Sequence, residues 1–211
     1  MVESTRNTEQ TILNAAEQIF FEKGYAGSKT TDIAKQAGVT HAMLHYYFRT
    51  KENLFQIVVK KQVSLLANSI LPILNDEGSF TEIITRAIDR HFDFVRQNPH
   101  LVFFVIREIH SNALGKQVWQ EMAAPILGNI VKNMAARIDA EKAAGTLPQD
   151  LEPVNFLITL ISLNLFVFIA QPLFFAVANI DQSTFERILE ERKKENIRIV
   201  LTILQRQSFT P

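Results

Sequence analysis

Gly38 lies at the centre of a group of small and apolar residues whose spacing fits two short helices joined by a tight turn. A helix-turn-helix needs a small residue where its helices cross, a glycine where the turn requires positive φ, and apolar residues on its inner faces. Ala34 and Gly38 meet the first two requirements. The inner positions are occupied by Ile33, Ala37, Val39 and Leu44, with Tyr47 where an aliphatic residue is more common. The residues around Gly38 therefore predict a helix-turn-helix.

The second helix of this motif is predicted to span about Thr40 to Phe48 and to present polar side chains outward. Leu44 and Phe48 take the inward face. The outward group consists of Thr40, His41, Ala42 and His45, with Tyr46 beside them. A helix of this kind fits the major groove of B-DNA, with its first turn against the base edges. We expect Thr40 and His41 to donate to bases or phosphates, and Ala42 to allow close approach to DNA or to a thymine methyl group.

Phosphate contacts are expected on both sides of this helix. Tyr46, Tyr47 and Lys51 are within reach of the backbone, and Thr30 is expected as the N-cap of the preceding helix, where free N–H groups attract a phosphate. The whole chain has no net charge, but residues 27–51 carry four cations (Lys29, Lys35, Arg49, Lys51) and one anion (Asp32), a net charge of 4 − 1 = +3. The positive charge is thus concentrated where DNA contact is predicted.

Two other interpretations of these side chains stay open. His41 and His45 are four residues apart, a spacing that can bind a metal ion, but no third ligand is evident and Ala42 stands where a zinc-protease motif has glutamate. No metal and no cofactor are therefore predicted. Tyr47 could instead pack against the first helix.

The stretch TTDIAKQAGVTHAMLHYYFRTKENLF closely resembles the DNA-binding segment of tetracycline-repressor (TetR) family regulators. That segment runs from a threonine cap through I-A-x-x-A-G-V to a helix ending in Y-x-F/YF-x-x-K-E-x-L, and the match covers roughly Thr11 to Phe55. His41 stands where a lysine is common and His45 where a tyrosine is common, so the operator sequence and the phosphate contacts are expected to differ from those of better-known members. The resemblance implies a helical domain that binds a small-molecule inducer, and a two-fold dimer in which the last two long helices form a four-helix bundle.

Helical periodicity continues along the rest of the chain, and strand alternation is absent. Capping boxes are predicted at Ser79–Glu82 and at Ser183–Glu186. We predict an all-α fold of about nine helices. A three-helix DNA-binding domain over residues 1–50 precedes a larger ligand-binding and dimerisation domain over residues 51–211.

Residues Pro153 to Ile180 form a run of 28 residues without a charge, long enough to span a bilayer. The flanking charges give no positive side, and Asn155, Asn164 and Gln171 would be costly in lipid. The favoured interpretation is a helix buried on all sides, inside the domain and against another subunit. Because the chain has no cysteine and Met1 to Phe20 does not resemble a secretion signal, a cytoplasmic protein without membrane contact is expected.

Phenylalanines are concentrated in the larger domain, where 13 of the 16 lie after Lys51. Each is expected as ordinary core, yet together with polar neighbours they could line a cavity for an apolar or aromatic small molecule. The candidate ligand contacts are Phe103, Phe104, Arg107, His110, Asn164 and Phe168.

The last helix carries an apolar stripe that is a candidate dimer interface or, alternatively, core within one chain. Its members are Phe185, Leu189, Asn196, Ile199 and Ile203. A two-fold dimer would place its reading helices ~34–36 Å apart and favour a palindromic operator.

These features predict a homodimeric, ligand-responsive transcription regulator, in particular a repressor released from DNA by its effector. A ligand-independent or partner-regulated DNA-binding protein with the same helix-turn-helix is the alternative. An enzyme is disfavoured, because the sequence has no phosphate-binding glycine loop, G-x-S-x-G elbow, cysteine nucleophile or metal-ligand cluster.

Overall fold

The computed structural model describes residues 2–111 and 113–206, with side chains from 7–110 and 113–206. The all-α prediction is confirmed, and the described residues form ten helices where about nine were expected. They are α1 (Val2–Gly27), α2 (Thr30–Gln36), α3 (His41–Phe48), α4 (Lys51–Leu74), α5 (Phe80–Gln97), α6 (Pro99–Ser111), α7 (Ala113–Ala143), α8 (Pro153–Ile169), α9 (Gln171–Val177) and α10 (Gln182–Gln205).

The chain divides into two compact units that do not follow the chain order. The first unit comprises Met1–Leu65 and His100–Ile126, and the second comprises Leu66–Pro99 and Leu127–Pro211. Helix α4 thus contributes residues to both units. A functional boundary after residue 50 remains a proposal.

The turn between α2 and α3 forms as the sequence predicts. Gly38 has a φ of 67°, a left-handed conformation that favours glycine, and the N–H of Val39 donates to the carbonyl of Ala34 at 3.0 Å. The Thr40 hydroxyl caps α3 by accepting from the N–H of Met43 at 3.2 Å. Ile33 and Leu44 are completely buried, so the inner faces of both helices are fixed by packing.

One cap in this region differs from the prediction. Helix α2 begins at Thr30, and its N-cap is Lys29 in extended conformation without a side-chain cap bond. Thr30 is therefore the first helical residue, and its hydroxyl bonds to His41 instead of the helix backbone. A threonine can serve either role, so sequence alone does not distinguish neighbouring cap positions.

Helix α6 holds the end of α1 through polar contacts inside the first unit. Helix α1 is kinked at Gly24, where φ is 70° and ψ is 174°. The buried Glu108 carboxylate accepts from the N–H of Tyr25 at 3.1 Å, and the Arg107 guanidinium donates to the carbonyls of Phe20 and Phe21 at 2.8 and 3.0 Å. These contacts fix the chain path that leads from α1 into α2.

The second unit is built on α5, which packs against α8 and α10. The core residues of this unit are Ile70, Leu74, Phe80, Ile83, Ile84, Ala87, Ile88, Met134, Ile138, Leu147, Leu151, Phe156, Val200 and Leu204. The predicted Ser79–Glu82 capping box starts α5, with both of its hydrogen bonds present. The predicted second box is wrong: α10 begins after Asp181, whose carboxylate accepts from the N–H of Thr184 at 2.7 Å, and Ser183 lies inside the helix.

The uncharged segment forms two helices and is buried on one side only. It breaks at Ala170, and α8 and α9 meet at a bend of 40°, with Pro172 in the first turn of α9. Val154, Ile158 and Phe166 are 59%, 56% and 64% exposed, so the expectation of burial on all sides is not met within one chain. By length and composition alone, α4 and the bent α8–α9 pair could each cross a membrane.

Candidate nucleic-acid interface and effector cavity

The outward face of α3 is exposed, as predicted. The exposed residues are Thr40, His41, Ala42, His45 and Tyr46, and Tyr46 is 72% exposed. Leu44 and Phe48, on the opposite face of the same helix, are 0% and 1% exposed. The buried pair fixes the rotation of α3 about its own axis, so the five polar or small residues form one continuous surface.

Hydrogen bonds orient both histidines on this surface. The Thr30 hydroxyl and Nε2 of His41 lie 2.9 Å apart, which links the first residue of α2 to the first residue of α3. Nδ1 of His45 lies 2.8 Å from the carbonyl oxygen of Arg49. Because a carbonyl only accepts, His45 carries its proton on Nδ1, which leaves Nε2 to act as an acceptor when the ring is neutral. The imidazole rings of His41 and His45 lie edge to face, with their centres 4.4 Å apart.

Lys51 has partners within the protein, where the sequence suggested a phosphate contact. Its ammonium donates to the carbonyls of Tyr25 and Ser28 at 2.9 and 3.0 Å and lies 4.2 Å from the centre of the Tyr25 ring. Burial lowers the pKa of Lys51, and the negative charge of Glu108 acts in the opposite direction. Lys51 therefore holds the connection between α1 and α2.

Three cations remain exposed around α2 and α3: Lys29, Lys35 and Arg49. The single nearby anion, Asp32, pairs with Lys23 at 3.3 Å, so it adds little negative charge to the α3 surface. Tyr47 is half-buried, with ring contacts to Tyr46 and Phe48 at 5.4 and 6.3 Å. Among the described residues no group of three or more histidine and acidic side chains is placed to hold a metal ion.

An apolar cavity of about 130 Å³ lies within the second unit, between α4, α5, α7 and α8. Two of its lining residues are polar, His91 and Asn164. The remaining lining is aliphatic or methionine: Leu66, Ile70, Leu74, Ala87, Ile88, Leu127, Ile130, Met134, Leu157, Leu160 and Ile161. No charged side chain belongs to this lining, which suits an apolar ligand.

Of the six predicted ligand contacts, Asn164 alone lines this cavity. Phe104 is buried against Phe21, Phe55 and Trp119, and Phe168 packs on Phe92 at 5.2 Å. The other three lie on α6: Phe103 is 42% exposed, Arg107 donates to the backbone of α1, and Nδ1–H of His110 donates to the carbonyl of Ile106. A ligand role for these five stays a prediction.

His91 is the second polar residue of the lining and was not among the candidates predicted from the sequence. No other histidine lies on α5 at a spacing that marks a site, and the phenylalanines that suggested a cavity in the sequence are absent from its lining. The recurring aliphatic residues of α4 and α7, such as Leu66, Ile70 and Leu74 at intervals of four, were the available signal. Burial lowers the pKa of His91 from 6.5 to about 4, so the ring is neutral near pH 7.

The candidate dimer stripe on α10 divides into two sets. Phe185, Leu189 and Asn196 are at most 2% exposed within the single chain, so they have no surface left for a partner and the interface prediction is wrong for them. Periodicity identifies an apolar face but not the element that covers it. Ile199 and Ile203 are half-buried and remain candidates.

The Gly38 turn, the two short helices that flank it and the exposed face of α3 together form a helix-turn-helix segment. Residues 12–58 match the family model described as bacterial regulatory proteins of the tetR family. The match covers α2, α3 and the adjoining parts of α1 and α4, so this segment is similar to the corresponding segment of that family.

Curated bacterial relatives align with half of this chain or less. The fatty acid metabolism regulator protein of Bacillus subtilis is 25% identical over 103 residues, 49% of this chain and 53% of that protein. The transcriptional repressor BepR of Brucella suis is 42% identical over 52 residues, a quarter of each chain. The chain thus spans about half the length of the first of these relatives and a quarter of the second.

Solved structures extend the likeness to the whole fold. FadR of Bacillus subtilis, determined with stearoyl-CoA, superposes with a TM-score of 0.67 at 16% identity, covering 93% of this chain and 99% of that one. SCO4942 of Streptomyces coelicolor gives 0.67 at 19% identity, covering 94% and 99%. At these identities the likeness shows the shared fold.

Proposed function

We propose that this protein is a homodimeric transcriptional repressor that binds a palindromic operator through α3 and is released by a small apolar effector. The observation that carries the proposal is the exposed face of α3, whose orientation is fixed by the burial of Leu44 and Phe48. The major groove of B-DNA is wide enough to admit an α-helix, and the tight turn at Gly38 holds α3 against α2 with its outer face free for such contact.

Within this proposal, the α3 residues divide into base and phosphate contacts. Thr40 and His41, at the start of the helix, contact base edges, and Ala42 admits a thymine methyl group. His45 offers Nε2 because its Nδ1–H is engaged with Arg49. Tyr46 contacts a phosphate through its hydroxyl, and Tyr47 and Thr30 support the phosphate contacts at the edges of this surface. Lys51 stabilises the connection to α1.

Dimer formation is proposed through the exposed apolar face of α8, with contributions from Ile199 and Ile203 of α10. Val154, Ile158 and Ile161 are 59%, 56% and 48% exposed and recur at helical spacing, which gives α8 an apolar stripe open to solvent in one chain. A two-fold pairing of this stripe buries it in both copies and presents two α3 helices to one operator.

The effector is proposed to occupy the cavity between α4, α5, α7 and α8. The aliphatic lining supports an apolar body. The likeness to FadR, whose structure contains stearoyl-CoA, adds a fatty acyl chain to the candidates. Pockets for drug-sized ligands have volumes of roughly 300–1,000 Å³, and this cavity is smaller. It therefore holds either a small effector or one end of a longer effector molecule. A cytoplasmic location follows from the proposed DNA partner.

The proposed mechanism is a shift between two dimer populations. An effector that binds one form of the dimer more tightly than the other increases the population of that form. The affinity for the operator falls if the two α3 helices of the favoured form are wrongly spaced for successive major grooves. Helix α4, which contributes residues to both compact units, is the proposed carrier of the change.

The test is operator binding by the full chain with and without effector. A duplex selected from random DNA is titrated by fluorescence anisotropy at fixed salt, and metabolites that raise the melting temperature are then added. The proposal expects sequence-specific binding and a loss of at least about tenfold in affinity with one of these metabolites. Unchanged affinity with every stabilising metabolite would favour the ligand-independent alternative, and absence of duplex binding would contradict both.

A further inference from the structure

A chain of hydrogen bonds in the second unit sets the chemistry of the cavity. Asn196 donates from Nδ2 to the carbonyl of Leu163 at 2.9 Å and to Oδ1 of Asn164 at 3.0 Å. Asn164 donates from Nδ2 to the carbonyl of Ile88 at 3.0 Å and lies 3.1 Å from Nδ1 of His91. Asn196 and Asn164 are 0% and 1% exposed, so these bonds form away from solvent.

The two backbone carbonyls determine the direction of every bond in this chain. A carbonyl oxygen only accepts, so each amide must place its NH₂ group toward its carbonyl partner, which fixes the orientation of Asn196 and Asn164. The second hydrogen of the Asn164 NH₂ group then points to Nδ1 of His91. Nδ1 therefore accepts, and the proton of the neutral imidazole lies on Nε2.

His91 belongs to the cavity lining, and in this tautomer its Nε2–H is a hydrogen-bond donor. Both hydrogens of the Asn164 NH₂ group are already engaged, and the remaining lining side chains are apolar. Within the described residues, the Nε2–H of His91 makes no hydrogen bond to another protein group. Burial lowers the pKa of His91 to about 4, so the ring does not become a cation that could neutralise an anionic ligand near pH 7.

We infer that the part of the effector seated in this cavity is an uncharged carbonyl group on an aliphatic chain, whose oxygen accepts from Nε2–H of His91. This inference rests on the proposed function and deepens it by naming the ligand chemistry. A carboxylate in the same position would lose its hydration without gaining a cation, because no charged side chain lines the cavity. A pure hydrocarbon would leave the Nε2–H donor unpaired.

The same carbonyl chemistry could come from a free ketone or ester or from the thioester of an acyl carrier. Four probes with a common six-carbon chain separate these sources: hexan-2-one, hexanoyl-coenzyme A, hexanoate and hexane. Binding of each to the full chain is followed by NMR titration at neutral pH without DNA. At least one carbonyl probe is expected to bind about tenfold more tightly than hexanoate. The same probe is expected to bind about fivefold more tightly than hexane, which is the gain in affinity that one neutral hydrogen bond provides.

Variants at His91 test whether the preference depends on its donor. His91→Phe keeps a planar ring of similar size without an N–H and is expected to remove the advantage of the carbonyl probe over hexane. His91→Gln restores an N–H donor and is expected to recover part of that advantage, which guards against a merely structural effect. His100→Phe makes the same change at an exposed histidine that does not line the cavity, and it is expected to leave the ranking of the probes unchanged.

The inference is overturned if hexanoate binds as tightly as both carbonyl probes, if none of the four probes binds, or if His91→Phe keeps the wild-type ranking. Tighter binding of hexan-2-one or of hexanoyl-coenzyme A identifies which source is used. The titration contains no DNA, so its failure leaves operator binding untouched. Failure of the proposed function would instead appear as loss of duplex binding or of effector-dependent release.

Discussion

Thr30 and His41 share a hydrogen bond of 2.9 Å between Oγ1 and Nε2, so the first residue of α2 is tied to the first residue of α3. The bond crosses the Gly38 turn and adds a polar link to the burial of Ile33 and Leu44 on the inner faces of the two helices. It holds the imidazole of His41 at the end of α3 that is proposed to enter the groove.

His41→Ala is expected to relax the operator preference. Loss of one base contact costs about 1–3 kcal/mol of discrimination, while binding to unrelated duplex DNA changes much less. Anisotropy titrations against the operator and a shuffled duplex at the same salt measure both. His100→Ala, an exposed histidine outside the motif, is the matched control and should match wild type. Equal losses on both duplexes would contradict a base-reading role for His41.

Gly24→Ala is expected to destabilise the protein. Gly24 has a φ of 70° with a ψ of 174°, a region that is essentially restricted to glycine, at a cost of about 1–3 kcal/mol for other residues. An added Cβ would also lie 2.7 Å from Oε1 of Glu108 and 2.9 Å from Nε of Arg107. Chemical denaturation measures the free energy of unfolding.

Gly128→Ala is the matched control for this substitution. Gly128 lies inside α7, is exposed, and has no atom within 4 Å of an added Cβ. It should raise the free energy of unfolding by roughly 0.5–1 kcal/mol through helix propensity. If both variants had the same stability, the contacts between Gly24 and α6 would not matter energetically.

Stability is expected to fall on mild acidification because of His91. Burial lowers its pKa from 6.5 to about 4 in the folded protein. Between these two pH values the imidazole is protonated in the unfolded chain but stays neutral in the folded one, so protonation favours unfolding. The free energy of unfolding from this group should therefore decrease as pH falls through that window, by roughly 3 kcal/mol at most.

His91→Gln should flatten this part of the pH profile, and His100→Gln should not. Urea denaturation between pH 4 and pH 7 compares the three proteins. An identical slope for wild type and His91→Gln would show that His91 titrates normally in the folded state.

Ile158→Glu is expected to convert the proposed dimer to monomers. Ile158 is 56% exposed on α8, and two glutamates facing each other across a two-fold interface would be both desolvated and repelled. Analytical ultracentrifugation measures the change. Ile109→Glu, on an apolar residue of α6 with 40% exposure, is the control and should leave the dimer intact. A dimer that persists in Ile158→Glu would place the interface elsewhere.

The helix-turn-helix was predictable because its requirements are local. Gly38 needs positive φ, Thr40 caps α3 from within three residues, and the inward positions of Leu44 and Phe48 follow from helical period. Each of these features depends on residues close in the chain, so type and spacing were sufficient.

Features that depend on distant residues were predicted less well. Asp181 and Ser183 are both good cap residues, and only the chain path decides between them. The stripe of Phe185 and Leu189 faces the core of its own unit, because periodicity does not reveal which element covers an apolar face. The cavity requires side chains from four helices, and His91 acquires its neutral state from burial and its tautomer from Asn164.

Selection of bound sequences from random duplex DNA by the full chain tests the central proposal, that α3 reads the major groove, most directly. The proposal predicts enrichment of a two-fold symmetric sequence whose half-sites lie about one helical turn apart, with weaker preference in each half-site for His41→Ala. A folded protein that enriches no sequence, or a His41→Ala variant that enriches the same sequence equally well, would contradict it.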